Sequence, residues 1–381
     1  MAGVLPEHRQ HPDVSLSQHR LNRIAELTGV VLQRRRIYLD TRYWLFLRDA
    51  ELGRPRKQVH VDLLDILRAG VQSGQLLCPA GDSTFFELLK QSDADTRLAT
   101  ARLIDTLSLG VVVQNAADRL RMELVRFLAN AIKKQVVQGP PVDRVWMKVG
   151  HVLGTADPIV DGVSKPEQLA ISKAFFDVMW SLTLEEMLLD TPQPHNVADD
   201  ESRASATRIT AACRAEDSTV NSFRALYLAE IRGFFDAHDQ ELCAALAEIH
   251  SATRPNQRPA GPEDFRSDSR LLVNAFTNLF RLGKLGTAVP TAQIVAGLHA
   301  AVRWQRQRAF RVEDFYDFYH ATAALPYCDV FLTERFLGTL LTRPPLEFSD
   351  TFGTTVLWEE AEAVNLLRTL GSTATSASGI P

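Results

Sequence analysis

The stretch R-V-E-D-F-Y-D-F-Y-H-A-T-A-A-L-P-Y-C-D-V-F-L-T-E-R-F, residues 311–336, decides how the chain is interpreted. Its first half predicts a helix, because Asp314, Asp317 and His320 recur every third residue and apolar side chains follow the same period. A proline ends this helix, and the apolar run at 330–332 predicts a strand buried on both faces. A helix that carries carboxylates therefore leads into a buried strand with a glutamate at its carboxyl end, the edge where parallel sheets place their sites.

Two more acids fall near the ends of strands predicted earlier in the chain. Asp40 closes a short apolar strand at 37–39, and Glu87 lies one turn into the helix that follows a second strand at 76–78. The β-branched run at 111–113 predicts a third strand. Helical patterns separate these strands, and such alternation is typical of right-handed parallel crossovers.

The positions of the acids indicate the chemistry. If the strands are neighbours in one parallel sheet, Asp40, Glu87, Asp317 and Glu334 converge at one edge. Carboxylates that close repel one another and raise each other's pKa unless a divalent cation neutralises them. Oxygen ligands alone suit Mg²⁺ or Mn²⁺ rather than zinc. The reaction that such a site supports best is metal-assisted hydrolysis of a phosphodiester.

Composition limits the choice of partners and compartment. The chain has 381 residues, 45% of them hydrophobic, and its 42 basic against 46 acidic residues give a net charge of −4. Any nucleic-acid contact must therefore come from local patches.

The cysteines show no metal-binding spacing, which favours a reducing compartment, and we expect the cytoplasm. We expect no membrane partner, since no apolar run is long enough to span a bilayer and the start lacks the layout of a secretion signal. The cysteines are Cys78, Cys213, Cys243 and Cys328.

The predicted organisation is an α/β domain with a central parallel sheet that is interrupted by a large all-helical insertion. Strand signals disappear between 138 and 290, and only helical patterns and turns remain there. The predicted segments are an N-terminal helical extension at 1–33, the first part of the α/β domain at 34–137, the insertion at 138–290, the second part at 291–370 and a flexible tail at 371–381. Inside the insertion, helices are predicted at 167–189, 207–214, 219–249 and 269–282.

This arrangement resembles the PIN-domain nucleases. The resemblance covers about residues 34–135 and 291–370 and rests on four pieces of sequence. It implies a PIN-like three-layer fold, in which helices flank a small parallel sheet, and three or four acids that bind Mg²⁺ or Mn²⁺ and cleave RNA. The pieces are I-Y-L-D-T at 37–41, L-L-C-P-A at 76–80 with F-F-E-L-L at 85–89, D-F-Y-H-A-T-A-A-L at 317–325 with D-V-F-L-T-E at 329–334, and T-T-V-L-W-E-E-A-E-A at 354–363.

Carried over by residue, the resemblance makes Asp40, Glu87 and Asp317 the first three acids of the site. The fourth position departs from the family, which usually has T-x-D where this chain has Thr333, Glu334 and Arg335. Three alternatives follow: Glu334 takes the place of the fourth acid, Asp329 takes it, or the site works with three acids.

Polar neighbours of these acids are candidates for supporting roles. Asp314 lies where a carboxylate favours a helix start, and His320 lies on the same helix face as Asp317, although a lone histidine is more often structural. Thr333 is expected to orient an acid or a water molecule. Thr41 is expected to do the same beside Asp40, and a plain turn role explains it equally well.

An enzyme that cleaves RNA also needs basic residues, because phosphate contacts dominate affinity. Arginines flank Trp304 and Phe310 just before the acidic helix, and this mixture suits phosphate neutralisation with base stacking. A solvated helix face with Trp304 packed inward explains the pattern equally well. The arginines considered for nucleic-acid binding are Arg303, Arg306, Arg308, Arg311 and Arg335.

The sequence therefore predicts a Mg²⁺- or Mn²⁺-dependent endoribonuclease, with single-stranded DNA as an alternative substrate. By analogy of fold it would act as a toxin or an antiviral defence effector, with a regulatory protein partner at the insertion. The rival hypothesis is a degenerate PIN-like module that binds RNA or a protein without cleaving. Arg335 favours the rival, and the other acids favour the enzyme.

Overall fold

A computed structural model of the chain describes residues 3–134, 136, 140–190, 203–204, 206–211, 222–306 and 308–377, without the side chains of 190 and 371–377. The fold is mixed α/β and mainly helical. At its centre lies a parallel sheet in the order β2-β1-β5-β6. The strands of this sheet are β1 (Arg35–Leu39), β2 (Leu76–Leu77), β5 (Val330–Leu332) and β6 (Thr355–Leu357).

Strand register brings distant parts of the chain together at the site edge. Ile37 pairs with Val330 and Leu39 with Leu332, so Asp40 and Thr333 are the next residues along two neighbouring strands. The Asp40 amide donates to the carbonyl of Leu332 at 3.0 Å. The predicted parallel sheet with acids at its carboxyl edge is confirmed for these two strands.

The third predicted strand is paired differently from expectation. Strand β3 (Val111–Val113) is antiparallel to β4 (Trp146–Lys148), and a parallel bridge between Ala80 and Val112 connects it to the end of β2. Because β4 lies within 138–290, the prediction of an all-helical insertion is wrong. A three-residue strand is too short to show a period of two, which is why the pattern did not reveal it.

Helices surround the sheet and form most of the rest of the chain. Many begin after a residue whose side chain accepts the N–H of the residue three positions on, as Asp40 does for Tyr43. In chain order the helices are α1 (Leu5–Gln10), α2 (Leu16–Val31), α3 (Thr41–Glu51), α4 (Gln58–Gln72), α5 (Asp82–Leu89), α6 (Ala94–Ser108), α7 (Ala116–Ala131), α8 (Lys165–Ser181), α9 (Leu184–Asp190), α10 (Phe223–Ala237), α11 (Asp239–Thr253), α12 (Arg266–Arg281), α13 (Pro290–Trp304), α14 (Val312–Ala324), α15 (Arg335–Thr342), α16 (Phe348–Phe352) and α17 (Glu360–Ala377).

Several helix predictions are corrected in length or number. The helix predicted at 167–189 is two helices, α8 and α9, because Leu182 adopts an extended backbone. The helix predicted at 219–249 is likewise divided into α10 and α11 at His238. The last helix continues to residue 377, into the predicted tail. The prediction at 207–214 falls partly outside the described residues, as does Cys213.

Two groups of buried apolar side chains stabilise the fold. The first surrounds the sheet and includes Tyr38, Phe331 and Trp146. The second is built by α7, α10, α11, α12 and α13, with Phe235 and Phe276 stacked at 4.6 Å between ring centroids. Helix α7 thus belongs to the first part of the predicted α/β domain and also covers the helical region.

No helix in the described part of the chain is both long and apolar enough to cross a membrane.

Candidate active site

Asp40 lies at the carboxyl end of β1, where it also caps α3. Its carboxylate accepts a hydrogen bond from the Tyr43 amide at 3.2 Å, and Asp40 is only 4% exposed. Burial raises the pKa of Asp40 to about 6, although the charge of His320 and the nearby Thr333 hydroxyl lower it. Thr333 Oγ1 lies outside normal hydrogen-bond geometry and has no partner among the described residues. The buried Asp40 carboxylate and the Thr333 hydroxyl therefore lie near one another at the strand ends.

A chain of polar contacts links Glu87 on α5 to His320 on α14 and to β1. His320 Nε2 lies 2.7 Å from Glu87 Oε2, and His320 Nδ1 lies 2.9 Å from the Tyr38 hydroxyl. Thr41 donates its hydroxyl to the same Glu87 oxygen at 2.5 Å. Burial would raise the pKa of Glu87, but the hydrogen bond and charge of His320 outweigh it and lower that pKa. His320 and Thr41 therefore both contact Glu87 and favour its ionised form, and Thr41 bonds to this acid rather than to Asp40.

The same arrangement favours the protonated form of the histidine. Burial lowers the pKa of His320, but the hydrogen bond and charge of Glu87, together with the charge of Asp40, raise it above its usual value. A protonated imidazole can donate from both ring nitrogens, so it satisfies Glu87 and Tyr38 at once. The site thus favours a positive charge on His320.

Asp317 is close enough to the other acids for their charges to act on it. Burial and the charges of Glu334, Asp40, Glu87 and Asp314, in decreasing order, raise its pKa to about 9. None of the described side chains donates a hydrogen bond to Asp317 or forms an ion pair with it. Among the four charged neighbours, the half-buried Glu334 at the end of β5 raises the pKa of Asp317 the most. Four predicted acids, Asp40, Glu87, Asp317 and Glu334, are therefore brought to one edge of the sheet.

This donor set fits a divalent cation bound by oxygen. Several carboxylates around one unpaired acid create a demand for positive charge that His320 meets only in part. The acids do not lie in a tight cluster, however. Within the described residues, His8, His19 and Asp177 form the one group of three or more His, Cys, Asp or Glu side chains whose ligand atoms all lie within 4.8 Å of one another.

Two other predicted acids have structural roles. Asp329 precedes β5 and lies at the opposite edge of the sheet, where it accepts two hydrogen bonds from the Arg36 guanidinium at 2.9 and 3.1 Å. Burial would raise the pKa of Asp329, but its bonds to Arg36 lower it. The structure does not bring Asp329 to the other acids, which leaves Glu334 as the fourth. Asp314 is buried at the start of α14, where it accepts the Arg311 amide at 2.8 Å and pairs with Arg308.

The five candidate arginines divide into two groups. Arg303 is only 8% exposed and forms an ion pair with Glu230 at 2.5 Å, and Arg308 pairs with Asp314 while stacking on Phe336 at 4.0 Å. The expectation that these two bind nucleic acid is therefore wrong, because acids of the same fold already neutralise them. The remaining three are exposed: Arg306, Arg311 and Arg335.

A basic residue near the acids was missed by the sequence reasoning. The Lys90 ammonium lies 4.1 Å from the centre of the Tyr316 ring, and its charge reaches Glu87. Phe86, four residues earlier on the same helical segment, is 44% exposed. The signal that could have found Lys90 is its position three residues after Glu87, on the same side of the helix.

Comparison of the chain with known families, with curated proteins and with solved structures gives no match in any of the three. The case for a function therefore rests on the geometry of the site.

Proposed function

We propose that the chain is a metal-dependent endoribonuclease with a PIN-like active site, in which Asp40, Glu87, Asp317 and Glu334 hold Mg²⁺ or Mn²⁺. The observation that carries the proposal is Asp317, an acid with no partner among the residues that the structure describes, whose pKa is raised to about 9 by burial and by the charges of other carboxylates. A fold keeps such an unfavourable group when a ligand of opposite charge uses it.

The chain's own residues would prepare the site in three ways. His320 fixes the carboxylate of Glu87 through the 2.7 Å contact, and Thr41 fixes it from the other side. Thr333 lies within reach of Asp40 and would orient that acid or a water molecule. A bound divalent ion would activate water and stabilise the charge that develops on the phosphate. Preorganised side chains of this kind lower the cost of assembling the reacting groups.

Substrate contacts would come from the rim of the site. Lys90 provides a positive charge over the Tyr316 ring, and Phe86 provides an exposed aromatic face in the same region of α5. Arg335 follows Glu334 directly and is exposed. Cations for phosphates and rings for bases are what a single strand requires. RNA is the substrate we propose, with single-stranded DNA as the alternative to be tested.

The test is cleavage of labelled single-stranded RNA with Mn²⁺, with Mg²⁺ and with a chelator. We expect cleavage that needs the metal and that falls at least about 100-fold in Asp40→Asn and Asp317→Asn, since both remove a ligand. Asp65→Asn, an acid exposed on α4, is the matched control and should cleave normally. Equal cleavage by all variants would show that a contaminant is responsible, and no cleavage by the wild type would reject the enzyme.

A second candidate is a PIN-like module that binds RNA without cleaving it. Arg335 favours it, because a cation there stands where an acid would be expected and lies beside Glu334. Retained RNA binding by a wild-type chain that does not cleave with either metal would support this candidate. Arg335→Asp separates the two further, since an added acid should raise cleavage only if the other acids already bind metal.

We also propose that the protein acts in a reducing cytoplasm, because the described cysteines Cys78, Cys243 and Cys328 are all buried and unbridged. A role as a toxin or antiviral effector, with a regulatory protein bound at the helical region, belongs to the same proposal. Its test is growth arrest on expression of the wild type, with Asp317→Asn as the inactive control.

A further inference from the structure

Two histidines and an aspartate that contact none of the candidate metal-binding acids meet at a second place in the fold. His8 Nε2 lies 2.9 Å from one oxygen of Asp177, and His19 Nε2 lies 3.0 Å from the other. The imidazole rings are perpendicular, with centroids 4.9 Å apart. His8 lies on α1, His19 on α2 and Asp177 on α8. Each histidine is more than 150 residues away from Asp177 along the chain. The fold thus assembles a mixed nitrogen and oxygen donor set from three helices.

Each histidine nitrogen lies near the distance from a carboxylate oxygen that zinc ligands keep, and the three donor atoms all lie within 4.8 Å of one another. Ligands about 2.0–2.1 Å from a tetrahedral Zn²⁺ lie about 3.4 Å from one another. Both histidines aim the same ring nitrogen at the same carboxylate, at distances that are shorter than this by about half an ångström. Asp177 or the two rings would therefore have to move outward slightly to admit the ion.

The cluster borders a cavity of about 530 Å³ that also offers further ligands. His11, Glu7 and Glu26 line the same cavity and are exposed. The positive groups nearby are Arg23, 3.4 Å from Asp177, and Lys173, whose ammonium donates to the His11 carbonyl at 2.7 Å. Lys173 is thus directed at a backbone oxygen, and Arg23 would have to move away from Asp177 for an ion to bind.

An ion-pair clasp between the helices is the competing explanation. Each imidazole contacts a different oxygen of Asp177, so such a clasp would satisfy both oxygens without a metal. Two imidazole nitrogens and one carboxylate are, in contrast, a familiar ligand set for borderline metal ions, and Mg²⁺ avoids such nitrogen ligands. The chemistry of this cluster therefore differs from that of the oxygen-only acids.

We propose that His8, His19 and Asp177 form a zinc site that fastens α1 and α2 to α8, with a water molecule or a residue of the cavity as fourth ligand. The site is structural, since it lies apart from the candidate active site, and it predicts that one chain discriminates two metals by ligand type.

The test uses the full-length protein, stripped with a chelator and then dialysed against Zn²⁺ in an excess of Mg²⁺, which occupies the oxygen site. Zinc is counted by elemental analysis, and its ligands are identified by X-ray absorption at the zinc edge. We expect one zinc per chain with imidazole nitrogen in its ligand shell. Affinity should fall at least about tenfold in His19→Ala and Asp177→Asn, since even outer contacts of metal ligands are worth this much.

The matched control is His238→Ala, which removes a histidine whose ring nitrogen bonds to the Phe234 carbonyl, away from the cluster. Its zinc content should equal that of the wild type. Circular dichroism identifies any variant that fails to fold. The X-ray absorption spectrum of the wild type shows whether imidazole binds the zinc, and it needs no variant. Zinc bound by oxygen alone, unchanged affinity in His19→Ala, or a chain that keeps no zinc would each overturn the site.

Discussion

Asp317 shows how a single residue can cost stability for the sake of a ligand. Its pKa is raised from an ordinary value near 4 to about 9, so the folded chain holds a proton there that the unfolded chain has lost. Between these two pKa values the folded state binds more protons, and the free energy of unfolding therefore falls as the pH rises. The resulting loss of unfolding free energy is largest above pH 9 and absent below pH 4.

Asp317→Asn should accordingly stabilise the metal-free protein. We expect the free energy of unfolding at pH 8 to rise by about 1–2 kcal/mol, a value well below the full shift because water screens a half-buried group. Urea unfolding at pH 5 and pH 8 measures it, and the gain should be smaller at pH 5. Asp329→Asn is the control: it should destabilise, since Arg36 loses its ionised partner. A loss of stability in Asp317→Asn would contradict the electrostatic account.

The same proton should be released when a metal binds. Coordination requires an ionised carboxylate, so Mn²⁺ must displace the proton of Asp317, and affinity should rise between pH 6 and pH 9. Calorimetric titration of Mn²⁺ in buffers of different ionisation enthalpy measures the number of protons released. We expect close to one proton at pH 7 for the wild type and close to none for Asp317→Asn. A pH-independent affinity would mean that Asp317 does not take part.

His320 should matter more than its neighbour Tyr38. His320→Gln keeps a donor for Glu87 but removes the positive charge, and we expect Mn²⁺ affinity and RNA cleavage to fall by roughly 10- to 100-fold, as for other residues that position a ligand. Tyr38→Phe removes only the hydroxyl 2.9 Å from Nδ1 and should have the smaller effect. Equal losses in the two variants would indicate a packing role for the histidine.

At the scale of elements, Gly150 shows how closely the turn at Val149–His151, which follows the unpredicted strand β4, packs on helix α8. A Cβ atom at Gly150 would lie 1.8 Å from the Met179 carbonyl oxygen, and backbone atoms cannot give way as a flexible side chain can. Gly150→Ala should cost about 3 kcal/mol of unfolding free energy, measured by urea titration. The control is Gly233→Ala in the interior of α10, where a Cβ meets nothing within 4 Å. That variant should gain about 0.5–1 kcal/mol from helix propensity.

The elements that the sequence predicted well are those with a long apolar period or an unbroken buried run. Strand β5 and helix α14 were placed within a residue or two, and the carboxyl edge followed from them. Strand β4 has three residues and helix α1 has six, and neither is long enough to show a period. The breaks after α8 and α10 depend on backbone angles at single residues, which no pattern encodes.

The site was predictable to the same extent as the strands that carry it. The convergence of Asp40, Glu87, Asp317 and Glu334 follows from strand order, but the partners of the arginines do not. Arg303 pairs with Glu230, 73 residues away, and only packing of α10 on α13 brings them together. His8 and Asp177 are 169 residues apart and carry no local signal at all.

For the whole molecule, the two apolar cores share helices, and we expect them to unfold together. Helix α7 contributes Leu124 to the second core, while its Arg119 donates to the Thr322 hydroxyl of α14 at 2.8 Å. On the same helix, the buried Glu123 accepts hydrogen bonds from Thr291 and Tyr327 at 2.8 and 2.9 Å. Neither core can lose α7 without exposing apolar or charged groups of the other.

Phe276→Ala tests this cooperativity, because its ring lies in the second core, 1% exposed and stacked on Phe235. We expect a loss of about 3–5 kcal/mol. Calorimetry should show one transition at a lower temperature, and RNA cleavage should disappear over that same range although the acids are untouched. Two separate transitions, of which only one moves, would instead show that residues 222–285 fold independently of the sheet. In that case cleavage would survive the first transition, and the helical region would be a separable domain.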